Sequence, residues 1–173
     1  MQRRSGARDP ARGHSLIEVR ESATSDLEAA RGIFAEYIGS VAHLAAASFA
    51  HQRVDEELQT LPGRYGPPGG TILLAWDAGT CVGCAAVRPL DGAQTCELKR
   101  MYVRPSHRRA GLGRRLAEAA LSRARELGYR AVKLDSDPAL LPALALYRSL
   151  GFVPAERYNE DPDPETVYLT RDL

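Results

Sequence analysis

Apolar and polar side chains change their period several times along this chain, and each change marks an element. Residues 16–20 (LIEVR) alternate, the spacing of a half-buried strand. Leu27, Ala30, Phe34 and Ile38 then recur at three- and four-residue intervals, which sets them on one face of a helix. Thr24 or Ser25 offers its N-cap, Glu28 can complete a capping box from Ser25, and Gly39 is expected to end it. An Ala-rich stretch at 41–61 reads as one or two short helices. LPGRYGPPGG at 61–70 is dense enough in Pro and Gly to be a loop.

Three strand-like runs follow at 71–76 (TILLAW), 81–88 (CVGCAAVR) and 95–103 (TCELKRMYV), with turn residues at 77–80 and 89–94, the latter holding Asp91 and Gly92. Such short connections predict an antiparallel meander. Strict alternation in the third run puts Glu97, Lys99, Met101 and Val103 on one face and Leu98, Arg100 and Tyr102 on the other. Leu112, Leu116, Ala120, Ala124 and Leu127 form a helical stripe closed by Gly128. The strand at 131–135 (AVKLD) is reached through that helix, so it is expected to run parallel to the previous one. A helix over 138–150 ended by Gly151, a strand from Phe152, an acidic Pro-broken loop at 159–165 and a last strand at 166–173 complete the chain. These elements predict an α/β (α+β) fold: one domain over 16–173, with a mixed, mostly antiparallel central sheet of about 6–7 strands and helices on both faces.

Composition bounds the function classes. At 173 residues, 44% hydrophobic and 26% charged, the chain has the make-up of one globular domain. No uninterrupted apolar run approaches the ~18 residues of a membrane span. The formal net charge is only +1, which argues against a bulk polyanion partner. That total conceals strong segregation. Residues 97–133 hold eleven Lys and Arg against three Asp and Glu, whereas residues 16–96 hold five against ten and residues 134–173 three against eight.

The first 15 residues carry four Arg and no apolar run, and read as a disordered basic tail rather than a secretory signal. Three cysteines without such a signal fit a reducing, cytoplasmic setting. Cys81 and Cys84 form a lone C-x-x-C. A zinc site needs about four ligands, so these thiols read as small core residues, with a metal or redox role as the minority alternative.

The basic segment contains the chemistry. A strand runs through RPSHRRAGLG into a helix. A helix N-terminus presents unpaired N–H groups and a partial positive charge, and Gly111 and Gly113 leave room for an anion to approach them. With Arg108, Arg109, Arg114 and Arg115 alongside, this describes a phosphate or pyrophosphate cradle. Neither the Walker loop nor the dinucleotide fingerprint is present. A surface helix with solvated arginines is the alternative.

RRAGLG at 108–113 resembles the Arg/Gln-x-x-Gly-x-Gly/Ala signature of the GNAT superfamily of N-acetyltransferases, and ALALYRSLGF at 143–152 resembles a second motif of the same family. The resemblance implies acetyl-CoA as co-substrate and no metal. It assigns the pyrophosphate to the loop of Arg108, Arg109, Ala110, Gly111, Leu112, Gly113 and Arg114. The pantetheine arm would pair with the strand end at Met101, Tyr102 and Val103, and an N–H near Val103 would polarise the thioester carbonyl. Tyr147 would protonate the leaving thiolate, with a packed core tyrosine as the alternative. Glu97 matches a position where some members carry a general base; an ion pair with Lys99 or a nearby Arg is equally open. Where many members carry an Asn, this chain has Leu140, and Ser136 is the candidate to replace its contact.

The expected activity is direct acetyl transfer to a primary amine of a small molecule or peptide in a ternary complex, with the 40–70 region lining the acceptor pocket. Tyr37, His43, His51, Arg64 and Tyr65 are candidates there by location alone. The alternatives are a non-catalytic acyl-CoA-binding or sensing module and a nucleic-acid binder using residues 97–133. Neither a nucleic-acid nor a membrane partner is expected, and a homodimer is compatible with the family.

Overall fold

The computed structural model describes residues 16–90 and 94–173, apart from the His51 side chain. The basic tail and the Asp91-Gly92 turn lie outside them. Seven strands form one sheet: β1 (Glu18–Glu21), β2 (Thr71–Asp77), β3 (Thr80–Pro89), β4 (Thr95–Val103), β5 (Ala131–Ser136), β6 (Val153–Pro154) and β7 (Val167–Asp172). Their order is β1-β2-β3-β4-β5-β7-β6, so the last strand inserts between β5 and β6. Only β4 and β5 run parallel, joined through α3 (Leu112–Glu126) as the crossover requires.

Two cores sandwich the sheet. Leu112, Leu116, Ala120 and Ala124 of α3 pack on one face, with Leu144 and Tyr147 of α4 (Leu141–Ser149). Ala30, Ile33 and Phe34 of α1 (Leu27–His51) pack on the other, with Leu58 of α2 (Val54–Gln59) against them. By length and composition Thr24–Ala50 could cross a membrane, with mean hydropathy 1.3 over its window. In this fold Ala30, Ile33 and Phe34 of that stretch are buried against the sheet.

Local expectations are corrected in three places. The helix entry uses Asp26, whose carboxylate accepts the Ala23 N–H at 2.8 Å, while Glu28 pairs with Arg31 instead of Ser25. A single turn of 3-10 helix at Thr24–Asp26 moves the capping geometry upstream. The helix also runs through Gly39 and breaks only at Ala45 (φ −121°, ψ 25°). One Gly costs roughly 1 kcal/mol in a helix, too little to stop one that continues into good helix formers. Finally, Ala75 pairs with Gly83 and Trp76 with Cys81, leaving Val82 as an extra residue in β3. This bulge resets the alternation, so Cys81 and Cys84 share the α1 face. All three cysteines are free and buried, as small core residues would be.

Gly70 shows how closely the Pro- and Gly-rich loop packs. A Cβ there would sit 2.6 Å from Tyr65 Cα and closer still to the Arg64 carbonyl oxygen, both backbone atoms with no room to yield. Gly70→Ala is expected to destabilise the fold by about 1–3 kcal/mol, the usual range for overpacking. An unchanged melting temperature would show that the loop is not held this close.

Candidate functional site

The site begins where two neighbouring strands part. β4 and β5 pair only from Thr95↔Ala131 to Glu97↔Lys133. Beyond that, β5 continues against β7 as far as Ser136↔Val167, while β4 continues against β3 as far as Val103↔Gly83. The edge of β4 that faced β5 is therefore left open. The Arg104 N–H donates to Val82 O on β3 at 2.9 Å. Backbone groups alternate along a strand, so those of Met101 and Val103 point to the open edge. The Val103 carbonyl there accepts from Arg108 Nε at 2.8 Å.

A bulge lies just before this edge. Tyr102 pairs with Cys84 and Lys99 with Ala86, so Arg100 and Met101 together face Ala85 alone. Arg100 takes φ +54°, the left-handed region that non-glycine residues avoid at roughly 1–2 kcal/mol. The faces expected from strict alternation are consequently wrong. Met101 and Val103 join the α3 side, and Tyr102 joins the α1 side. Glu97 lies opposite Arg88 and bonds it, well away from the Met101 side.

The parted strands open into a cleft. Leu98 and Met101 of β4, Asp135 and Ser136 of β5 and Ala143 and Tyr147 of α4 line one part of it. Tyr37, Val41 and Phe49 of α1 and Asp161 of the acidic loop line the rest. That loop is drawn inward. Asp161 is 2% exposed and accepts Ser48 Oγ–H at 2.8 Å, tying the loop to α1 just past its kink. Asn159 Nδ2 donates to Asp135 at 2.8 Å.

At one end of the open edge stands the N-terminus of α3. Its first helical bond is Arg115 N–H to Gly111 O at 3.1 Å, so the amides at 112–114 precede any intrahelical partner. No side chain among the described residues caps it. Gly111 takes φ +77°, which turns the chain into the helix, and a Cβ there meets nothing within 4 Å. Gly113 lies against Leu146 and Met101. Arg109 is exposed, and Arg114 bonds Ser149 Oγ at 2.7 Å. Arg108 folds back over the Tyr102 ring, 5.6 Å from its centroid, besides bonding Val103. These two contacts hold the Arg108 side chain against β4.

Tyr147 reaches the cleft from α4, with its ring edge-on to Phe152 at 5.7 Å. Its hydroxyl has no hydrogen-bond partner among the described residues. Burial pushes it well above the usual phenol range, so it holds its proton at neutral pH. Across the cleft, burial pushes Tyr37 up to about 12, with Arg100 opposing.

Glu97 is placed differently. It is 0% exposed and absent from the cleft lining. Its carboxylate accepts from Arg88 Nε at 2.7 Å and Tyr158 O–H at 2.8 Å, with Lys99 Nζ at 3.5 Å. This is the ion-pair alternative rather than a free base. Lys99 turns its closer contact, 2.8 Å, to Asp135. Burial alone would raise the Asp135 carboxyl, but Lys99 and the Asn159 amide outweigh it and hold the group low.

Of the acceptor-side candidates, Tyr37 lines the cleft. His43 is exposed, Arg64 bonds Pro89 O, and Tyr65 is a core residue that donates to Glu57. Leu140 and Ser136 both line the cleft. Sequence reasoning missed Ser48, Asp135, Asn159 and Asp161; Ser48 meets Asp161 across 113 residues of chain and Asp135 meets Asn159 across 24. The only local signal was the density of acidic residues at 159–165. Among the described residues, no group of three or more His, Cys, Asp or Glu could hold a metal ion.

Comparison with known proteins gives a consistent picture. The model of the family described as "Acetyltransferase (GNAT) family" matches residues 38–152. An uncharacterized N-acetyltransferase of Schizosaccharomyces pombe is 43% identical over 70% of this chain and 76% of its own length. An uncharacterized N-acetyltransferase of Escherichia coli is 37% identical over 57% of this chain and 60% of its own. The fold superposes on the PaiA N-acetyltransferase of Thermoplasma acidophilum, crystallised with coenzyme A. The TM-score is 0.70 at 18% identity, over 91% of this chain and 99% of that one.

Proposed function

The chain belongs to the acetyltransferase (GNAT) family, and on that premise we propose that it transfers an acetyl group from acetyl-CoA directly to a primary amine within a ternary complex. The observation that carries this reading is one continuous path. It runs from the uncapped amides at 112–114, along the open backbone edge at Met101 and Val103, to the unpartnered hydroxyl of Tyr147.

The residues present fit the co-substrate. Arg109, Ala110, Gly111, Leu112, Gly113 and Arg114 would hold its pyrophosphate through backbone amides and charge. The backbone groups of Met101 and Val103 would meet its amide-bearing arm as a neighbouring strand meets a ladder. Acetyl-CoA supplies an acyl group activated as a thioester. An N–H of the open edge would meet the carbonyl oxygen where negative charge develops, and such donors are worth most in a site shielded from water. Met101, beside the bulge and two positions before Val103, would offer it. The amine would attack in its neutral form; as its nitrogen bonds the carbonyl carbon and the carbon–sulfur bond breaks, Tyr147 would give its proton to sulfur, the nitrogen would release its own proton to solvent, and solvent would reprotonate Tyr147.

Direct transfer is supported by the thiols. Cys81, Cys84 and Cys96 are buried outside the cleft lining, and burial raises all three, so none is poised as a nucleophile. Glu97 serves as an anchor for Arg88, Lys99 and Tyr158 and has no open path to an acceptor amine.

Saturation with acetyl-CoA tests the reading. At a hundred times the dissociation constant, linkage adds about 2.7 kcal/mol, which for this chain length raises the melting temperature by roughly 5–10 °C. No shift at that concentration would overturn the assignment. An amine panel read by release of free thiol then identifies the acceptor.

A further inference from the structure

Arg100 is the residue for which the acetyl-transfer chemistry has so far given no use, and it is built into the site more elaborately than any neighbour. A bulge residue with φ +54° would ordinarily be Gly, Asn or Asp. Here it is an arginine whose side chain is 2% exposed. The guanidinium donates Nε–H to Glu57 Oε1 at 2.6 Å and Nη2–H to Glu57 Oε2 at 3.0 Å, a bidentate clamp from α2. Nη1 donates to Gln52 Oε1 at 3.2 Å at the end of α1, and the Phe49 ring lies 5.7 Å from the guanidinium carbon. Glu57 is itself fixed by the Tyr65 hydroxyl at 3.0 Å. On the backbone side, the buried Cys84 Sγ–H contacts the Arg100 carbonyl at 3.0 Å.

These contacts fix one peptide group. The carbonyl of the 100–101 peptide points to β3, where Cys84 holds it. The N–H of that same peptide belongs to Met101 and points the opposite way, to the open edge and the cleft. We infer that Arg100 is a positioning residue: its clamp by Glu57 and Gln52 maintains the left-handed bulge that aims the Met101 N–H at the thioester carbonyl. The inference rests on the acetyl-CoA reading and adds to it a connection. Phe49 and Gln52 line the acceptor wall of the cleft, so the elements that contact the acceptor also hold the donor in place.

The backbone conformation supplies the test. Arg100→Ala removes the anchor and leaves a residue that resists positive φ. Arg100→Gly removes the same anchor but tolerates the bulge. The probe is acetyl-CoA labelled with carbon-13 at its carbonyl, bound to each full-length protein and observed by isotope-edited infrared spectroscopy, which needs no acceptor. Wild type should shift the carbonyl stretch to lower wavenumber on binding. Arg100→Ala should lose that shift with the cofactor dissociation constant within about threefold of wild type, and Arg100→Gly should recover most of it. Turnover with a primary amine should fall roughly tenfold in Arg100→Ala, less than outright loss of such a donor. Glu57→Gln, which keeps the shape of the clamp and removes its charge, should lose part of the shift and carries the test if Arg100→Ala does not fold. A wild-type shift retained in Arg100→Ala or fully in Glu57→Gln, or a Gly variant no better than Ala, overturns the inference. Failure of the wild type to bind acetyl-CoA overturns the proposed function instead.

Discussion

Tyr147→Phe should lower kcat by about 10²- to 10⁴-fold, the range for losing a positioned general acid, with the acetyl-CoA dissociation constant nearly unchanged. The split follows from what the hydroxyl does. It makes no hydrogen bond to the other described residues, so its removal breaks none of their networks. The ring keeps its edge-on contact with Phe152 and its place in the α3–α4 core, so the helix should stay where it is. What is lost is a proton at the cleft surface. Because burial raises the phenol above its usual range, wild type should retain that proton across the neutral and mildly alkaline range. Stopped assays of thiol release, beside calorimetric titration of the cofactor, distinguish the outcomes. Wild-type turnover in the Phe variant would return Tyr147 to the role of a packed core residue.

Gly111→Asp should weaken acetyl-CoA binding at least a hundredfold, or about 2.7 kcal/mol. The added Cβ meets no atom of the fold within 4 Å, so the substitution spares the protein itself. Asp is also among the residues that best accept the left-handed φ found there. The damage falls on the anion site: a carboxylate would stand beside the uncapped amides at 112–114 and compete for them as an N-terminal cap does. The variant is therefore expected to melt near the wild-type temperature, or slightly above it, while the stabilisation by acetyl-CoA disappears. An unaltered dissociation constant would remove this loop from the cofactor site. Gly111→Ala, which adds bulk without charge, should fall between the two.

The readings of this site divide by how far apart its residues lie in sequence. The glycine-containing loop, the basic cluster and the start of α3 are contiguous, and the chemistry they offer is that of any uncapped helix N-terminus. Tyr147 follows the same logic, because its place on α4 is set by the helical period between Leu144 and Gly151. The antiparallel meander and the parallel crossover were legible because turn residues and connection lengths constrain strand direction.

The residues placed wrongly were those whose face depends on an unbroken two-residue period. Bulges at Val82 and at Arg100 each insert one residue. Each therefore reverses every side chain beyond it, which is why Cys81 joins Cys84 and why Glu97 and Met101 part. No run of letters announces an arginine at positive φ, since Glu57 and Gln52, more than forty residues away, are what hold it there. The acidic loop is a similar case. Its composition showed only an acidic, Pro-broken loop, yet Ser48 bonds Asp161 at the cleft across 113 residues of chain.

By itself, then, the sequence determined the architecture, the glycine-containing basic loop ahead of α3 and the place of Tyr147 on α4, because each rests on local periodicity or on adjacent residues. The tertiary structure decided where β4 leaves a backbone edge open, that Glu97 is buried among three donors, and which side chains line the cleft. Those outcomes depend on where β4 parts from β5 and on one bulge held by ion pairs, and both are set by contacts between segments distant along the chain.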